Sequence, residues 1–208
     1  DCVYSGVDPR YFGLESEEQS YLLYFGRTDV HTKGLDMLVQ AFARIAPDYP
    51  ELQLKIAGRG SLSQVELLQR LVRESGVAGR IEVLGEVDEE RKGELLRKAL
   101  LVCAPSRYEG WCIAAVEAAA AGKAVLGTWI DGLKDAVRDG ETGILVEAGH
   151  AEHLAQGMRS LLDDPSRRQV LGASGREWAR DFDWDRIALA QEEVYLRAAA
   201  ENGVLQSG

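Results

Sequence analysis

Cysteine is scarce in this chain. Cys2, Cys103 and Cys112 are the three in 208 residues, an odd number with no C-x-x-C pair. A disulfide framework and a cysteine zinc site are therefore disfavoured, and a reducing compartment fits. Cys103 lies inside an apolar run and reads as a small apolar filler. Positive charge is also in deficit: Lys and Arg number 24 against 34 Asp and Glu, a net charge of −10. A broad nucleic-acid footprint would be basic, so a nucleic-acid role is disfavoured. Adsorption to anionic lipid is disfavoured for the same reason, and the negative excess serves solubility. No apolar run approaches the roughly 18 residues of a membrane-spanning helix. No signal-peptide pattern, internal repeat, low-complexity tract or Pro/Gly/Ser linker is visible. The first residue is Asp rather than Met, and the chain is expected to be a piece of a longer one.

What the sequence does contain is ordinary globular material, 46% hydrophobic and 28% charged. A chain of this length buries roughly 70% of its unfolded surface and needs no staples. Short apolar runs alternate with amphipathic ones. Tyr21 to Phe25, Leu52 to Ala57, Ile81 to Leu84, Leu100 to Ala104, Ala124 to Leu126 and Gly143 to Val146 read as strands. Helical spacing marks Leu35 to Ile45, Val65 to Val72, Arg91 to Ala99 and Trp111 to Ala121. The tail reads as helices over Ala151 to Leu162, Ser166 to Ala179 and Trp184 to Ala200. Strands alternating with helices of this length imply right-handed crossovers. The expected fold class is therefore α/β, a single Rossmann-like doubly wound parallel sheet with a helical C-terminal tail. The uninterrupted apolar run at Leu100 to Ala104 suits a central strand buried on both faces.

In such a sheet, ligands bind beyond the C-terminal ends of the strands, which directs attention to four loops. The first, Gly26 to Gly34, carries Arg27 and Lys33 between a strand end and a helix start. It reads either as a phosphate site, with Arg as a fork and Lys as a point charge, or as a solvated surface loop. His31 in it reads as an exposed polar residue. The second loop, Gly58-Arg59-Gly60, lacks the third small residue of a dinucleotide fingerprint and reads as a tight turn. The third follows Leu84. The fourth, Pro105 to Ala118, is the informative one. Glu109 lies in the loop and Glu117 about two helical turns further on. Glu117 is flanked by Val116 and the run Ala118 to Ala121, so its carboxylate needs a partner. A ribose diol would serve, while the free amides of Gly110, Trp111 and Cys112 suit phosphate or sugar oxygens. The plainer alternative makes Glu109 a helix-start acid and Glu117 a solvated one.

These residues resemble a known pattern. Glu109 to Glu117 looks like the E-x7-E motif of retaining nucleotide-sugar glycosyltransferases of family four, which have the GT-B fold. Ser5-Gly6-Val7-Asp8 resembles N-G-V-D, and Gly26-Arg27 with Lys33-Gly34 resembles G-R-…-K-G. Leu54 to Gly60, Gly85-Glu86-Val87, and Pro105-Ser106 through Gly122 match further blocks in order along nearly the whole chain. Three places depart from the pattern: Trp111-Cys112 stand where Phe-Gly is common, Ala124 replaces a Pro, and Asp135 replaces a Glu. The bulkier Trp111 and Cys112 are expected to reshape the sugar pocket.

The resemblance implies roles. Arg27, Lys33 and Glu109 would be the catalytic set, the two cations binding the donor diphosphate and Glu109 meeting the donor sugar. Glu117 would hold the ribose and Val87 the base. Gly26, Gly58 and the amides of Gly110, Trp111, Cys112 and Ile113 would complete the donor site. The chain would be the donor-binding, C-terminal half of a hexosyltransferase using a UDP-, GDP- or ADP-sugar, with no metal. Residues 1–20 would lead in from an N-terminal acceptor domain, 21–180 would form the nucleotide-sugar-binding domain, and 181–208 would pack back toward the acceptor domain. By itself the chain would be incomplete and inactive. The resemblance further implies carbohydrate biosynthesis, of lipopolysaccharide or exopolysaccharide, in the cytoplasm or at the inner face of the membrane. Two other readings compete: a noncatalytic nucleotide-binding module, left open by Trp111-Cys112 and Asp135, and a nicotinamide-dependent oxidoreductase built on Gly58-x-Gly60.

Overall fold

The computed structural model describes residues 4–201; Asp1, Cys2 and the last residues of the 181–208 segment lie outside them. Six parallel strands form one sheet among the described residues: β1 (Tyr21–Phe25), β2 (Gln53–Ala57), β3 (Ile81–Gly85), β4 (Leu101–Ala104), β5 (Val125–Thr128) and β6 (Gly143–Val146). Their spatial order is β3-β2-β1-β4-β5-β6, the doubly wound arrangement. The winding reverses between β1 and β4, where Leu22 pairs with Leu101 and Leu23 with Val102.

Alternate residues of each strand feed two separate cores, because side chains on a strand point to opposite faces in turn. Leu22, Tyr24, Leu54, Ile56, Leu101 and Cys103 pack with α1 (Leu35–Ile45), α2 (Leu62–Glu74) and α6 (Ala151–Leu162). Leu23, Phe25, Val102 and Ala104 pack with α3 (Glu89–Lys98), α4 (Ile113–Ala120) and α7 (Pro165–Ala179). This two-sided burial is why the strands read as apolar runs. At about 1.5–3 kcal/mol for each large apolar side chain fully buried, the two cores dominate the stabilisation.

Several boundaries shift from the sequence expectation for local reasons. The helix read from Arg91 starts at Glu89, because the Asp88 side chain accepts the Arg91 amide and caps it. The helix read from Trp111 starts at Ile113, because Cys112 adopts a non-helical backbone as its cap. A short helix, α5 (Asp131–Lys134), occupies the connection from β5 to β6.

The segment before β1 is part of the packed body. Tyr11 is fully buried, and Val7 bridges Asp183 with its amide on the Phe182 carbonyl at 2.7 Å. Gly6 lies against the indole of Trp184, which opens α8 (Trp184–Glu201). The first and last described segments therefore run side by side. No helix among the described residues is long and apolar enough to cross a membrane.

Candidate functional site

The reversal of winding sends α1 and α4 to opposite faces and leaves a crevice over the C-terminal ends of β1, β2 and β3. Two close approaches shape it. Gly34 caps α1 at φ 65°, and a Cβ there would fall 2.0 Å from the Pro105 carbonyl oxygen. Only glycine fits that left-handed position against another backbone. At Gly58 a Cβ would fall 1.7 Å from the Gly26 carbonyl oxygen, so the turns after β1 and β2 touch. Gly58-Arg59-Gly60 is thus a close-packed turn, as its incomplete fingerprint suggested.

The crevice has a volume of about 390 Å³, and Gly26, Arg27, Gly58, Val87, Ile113 and Glu117 line it together. These are six of the residues singled out in the sequence. Arg27 is exposed and makes no ion pair among the described residues, so it presents an unneutralised cation. Glu117 is 14% exposed and bonds the Lys92 ammonium through Oε1 at 3.0 Å. Burial pushes its carboxyl up, and the Lys92 charge opposes that shift. It is therefore neither solvated nor unpaired.

Lys33 and Glu109 form a second pair beside the crevice. Lys33 Nζ lies 2.5 Å from Glu109 Oε2, with the two side chains 12% and 10% exposed. Ser106 Oγ donates to the same oxygen at 3.1 Å. Arg107 fastens the two loops together. Its amide donates to the Thr32 carbonyl, and its guanidinium grips Asp36 through two bonds of 2.7 Å. Asp36 is held below its ordinary value by that contact, although burial opposes it. Glu109 sits in the loop ahead of α4, not in its first turn.

The amides ahead of α4 are only partly free. Those of Cys112 and Ile113 donate to the carbonyls of Gly132 and Trp111, while those of Gly110 and Trp111 have no main-chain acceptor among the described residues. Cys112 is buried, and burial pushes its thiol up to about 12. Trp111 does not reach the crevice lining. Its ring stacks on Tyr4 at 4.2 Å and leans on Phe182 at 5.1 Å, so its bulk fills an aromatic cluster beside the chain crossing. His31 is exposed, as expected.

Three lining residues carried no sequence signal: Arg59, Glu89 and Lys92. Arg59 lies 3.7 Å from Glu86 across the mouth. Lys92 sits one turn inside a charged helix, where its identity as a crevice residue is invisible to periodicity. The residues present could hold an anion through Arg27 and vicinal hydroxyls through Glu117; among the described residues no group of three or more His, Cys, Asp or Glu could hold a metal ion. A larger cavity, about 720 Å³, opens at the other end of the sheet between Leu14–Glu18 and α7.

Sheet order and reversal point are those of one half of a GT-B fold. Residues 11–178 match the family described as Glycosyl transferases group 1, and the chain belongs to that family. It is 33% identical over 186 residues to a phosphatidyl-myo-inositol mannosyltransferase of Mycobacterium leprae, covering 89% of this chain and 48% of that protein. It is 35% identical over 178 residues to a glycogen synthase of Mycobacterium tuberculosis, covering 85% and 42%. The chain spans about half the length of the curated relatives it matches. Among solved structures, sucrose-phosphate synthase from Thermosynechococcus elongatus superposes with a TM-score of 0.86 at 28% identity, over 96% of this chain and 52% of that one. Anabaena Alr3699/HepE, solved in complex with UDP-glucose, superposes with a TM-score of 0.84 at 20% identity, over 95% and 57%.

Proposed function

We propose that this chain is the donor-binding half of a retaining glycosyltransferase that moves a hexosyl group from a nucleoside-diphosphate sugar. The observation that carries the reading is the crevice itself. An unpaired guanidinium, Arg27, and a desolvated carboxylate, Glu117, line one cleft at the reversal point of the sheet. A cation suits a diphosphate, and a carboxylate suits the two hydroxyls of a ribose. Gly26 and Gly58 line the cleft without side chains to obstruct a diphosphate, and Val87 lines the end where the base would lie. Lys33 and Glu109 stand on the α4 side, where the transferred sugar would sit.

In this mechanism the donor's sugar–phosphate bond breaks as negative charge builds on the departing diphosphate. Arg27 and Lys33 stabilise that charge, which lowers the barrier. Glu109 accepts hydrogen bonds from donor-sugar hydroxyls, and the Gly110 and Trp111 amides offer donors to sugar or phosphate oxygens. The two cations would counter the leaving-group charge, so the reading calls for no metal. Retention, the hexosyl identity and a UDP, GDP or ADP donor follow the family resemblance. An acceptor-binding N-terminal half, a cytoplasmic setting with contact at the inner face of the membrane, and a role in lipopolysaccharide or exopolysaccharide synthesis belong to the same proposal.

Calorimetric titration with UDP, GDP, ADP and NAD, in the presence of a chelator, tests it. One nucleoside diphosphate should bind saturably, at least about tenfold more weakly in Glu117→Ala and in Arg27→Ala/Lys33→Ala. Binding indifferent to both variants overturns the site assignment. Binding with no glycosyl transfer by a longer chain that includes an acceptor domain would favour a noncatalytic module.

A further inference from the structure

The Glu117 carboxylate is not free to turn. Lys92 Nζ bonds its Oε1 at 3.0 Å and also lies 3.0 Å from Glu89 Oε1. Glu89 is fixed in turn by Tyr11, whose hydroxyl donates to Oε2 at 2.5 Å. The ammonium sits 5.2 Å from the centre of the Tyr11 ring and 5.9 Å from that of Phe25, between the segment before β1 and the end of β1. Lys92 is itself 15% exposed and lines the crevice. Glu117 Oε2 has no hydrogen-bond partner among the described residues.

Resting on the donor-site reading above, we propose that Lys92 is a positioning residue for the nucleoside end of the donor: its ammonium pins Glu117 Oε1 and leaves Oε2 to receive a ribose hydroxyl.

The charges around Glu117 support this. From α3 it faces Lys92 and Glu89; from the segment before β1, Asp8 and Tyr11; at the start of its own helix, Cys112. Asp8 is engaged by Arg10 at 2.8 Å. Arg27 lines the same crevice and bonds no carboxylate among the described residues. Lys92 is thus the cation bonded to the Glu117 carboxylate, and its charge opposes the upward push of burial. Without it, nothing holds Oε1 in place, and the upward push of burial on the carboxyl loses the charge that opposes it.

The test compares the unsubstituted chain with Lys92→Met, Lys92→Arg, Glu117→Gln and the double variant Lys92→Met/Glu117→Gln. Each is titrated with the nucleoside diphosphate that the unsubstituted chain binds and with its 2′,3′-dideoxy counterpart. Titrations run from pH 5.5 to 8.5, in two buffers of different ionisation enthalpy, after thermal melts confirm folding. Lys92→Met should weaken the ribonucleotide about tenfold at pH 7, shrink the ribose-over-dideoxy preference, and move any proton release on binding toward higher pH. Lys92→Arg should restore all three readouts. In the Glu117→Gln background the Lys92→Met change should add little, because the group it acts through is gone. A folded Lys92→Met variant that keeps the full ribose preference and the proton exchange of the unsubstituted chain overturns the inference while leaving the donor site standing. An unsubstituted chain with no ribose preference overturns the Glu117 reading and this inference with it. Loss of binding in Lys92→Met that is equally large for the dideoxynucleotide assigns Lys92 a merely structural role.

Discussion

Lys33 and Glu109 test whether a buried ion pair helps to hold the loops after β1 and β4 together. Their charged atoms lie 2.5 Å apart, with about a tenth of each side chain exposed. Lys33→Met keeps the stem and removes the charge. It leaves the Glu109 carboxylate with one hydrogen bond, from Ser106. Breaking a fully buried pair costs about 3–5 kcal/mol, and partial exposure with a surviving bond places this one near 3 kcal/mol. For a chain of this length that lowers the melting midpoint by about 6–12 °C. Glu109→Gln should cost less, about 1–2 kcal/mol, since a long lysine stem carries its charge toward water. The double variant leaves no charge unpaired and should recover to within about 1 kcal/mol of the unsubstituted chain. Urea denaturation of all four proteins gives the coupling energy, expected at about 2 kcal/mol or more. A coupling below about 0.5 kcal/mol, or a double variant as unstable as Lys33→Met, would refute the claim that the pair is buried and mutual.

Two further outcomes follow from the fold. Gly34→Ala should destabilise by about 2 kcal/mol or more, since it combines a left-handed backbone with a Cβ 2.0 Å from the Pro105 oxygen. Gly76→Ala, at φ 76° with open space around it, should cost only about 1 kcal/mol in the same denaturation assay. Lys123 is 1% exposed, and burial pulls its ammonium down from 10.5 to about 8. Between those values the unfolded chain binds the proton and the folded chain does not, so this group adds stability as pH rises. Urea denaturation at pH 7 and pH 9.5 should therefore show the unsubstituted chain gaining on Lys123→Met by roughly 2 kcal/mol; a constant difference would mean that Lys123 does not lose its proton.

Much of this organisation was legible in the sequence because it is local. Gly143–Val146 and Ala151–Leu162 were readable to the residue, since a period of two or 3.6 shows itself within a dozen positions. The apolar surroundings of Glu117 announced that its charge needs a partner. The partner itself was not legible: Lys92 lies 25 residues earlier, on a helix with charges all round. Trp111 illustrates the same limit. No local pattern showed its ring stacking on Tyr4 or leaning on Phe182, the latter 71 positions further along the chain.

The sequence by itself determined the elements, the parallel two-sided sheet and the family, because helix and strand periods and short-range motifs are properties of neighbouring residues. Only the tertiary structure decided which charges meet. The order β3-β2-β1-β4-β5-β6 brings the loops after β1 and β4 together across the reversal of winding, and so joins Lys33 to Glu109 over 76 positions. The same winding sets α3 against α4 and joins Lys92 to Glu117. Such pairs are fixed by the closing of long loops around a shared core, a quantity that no stretch of local pattern encodes.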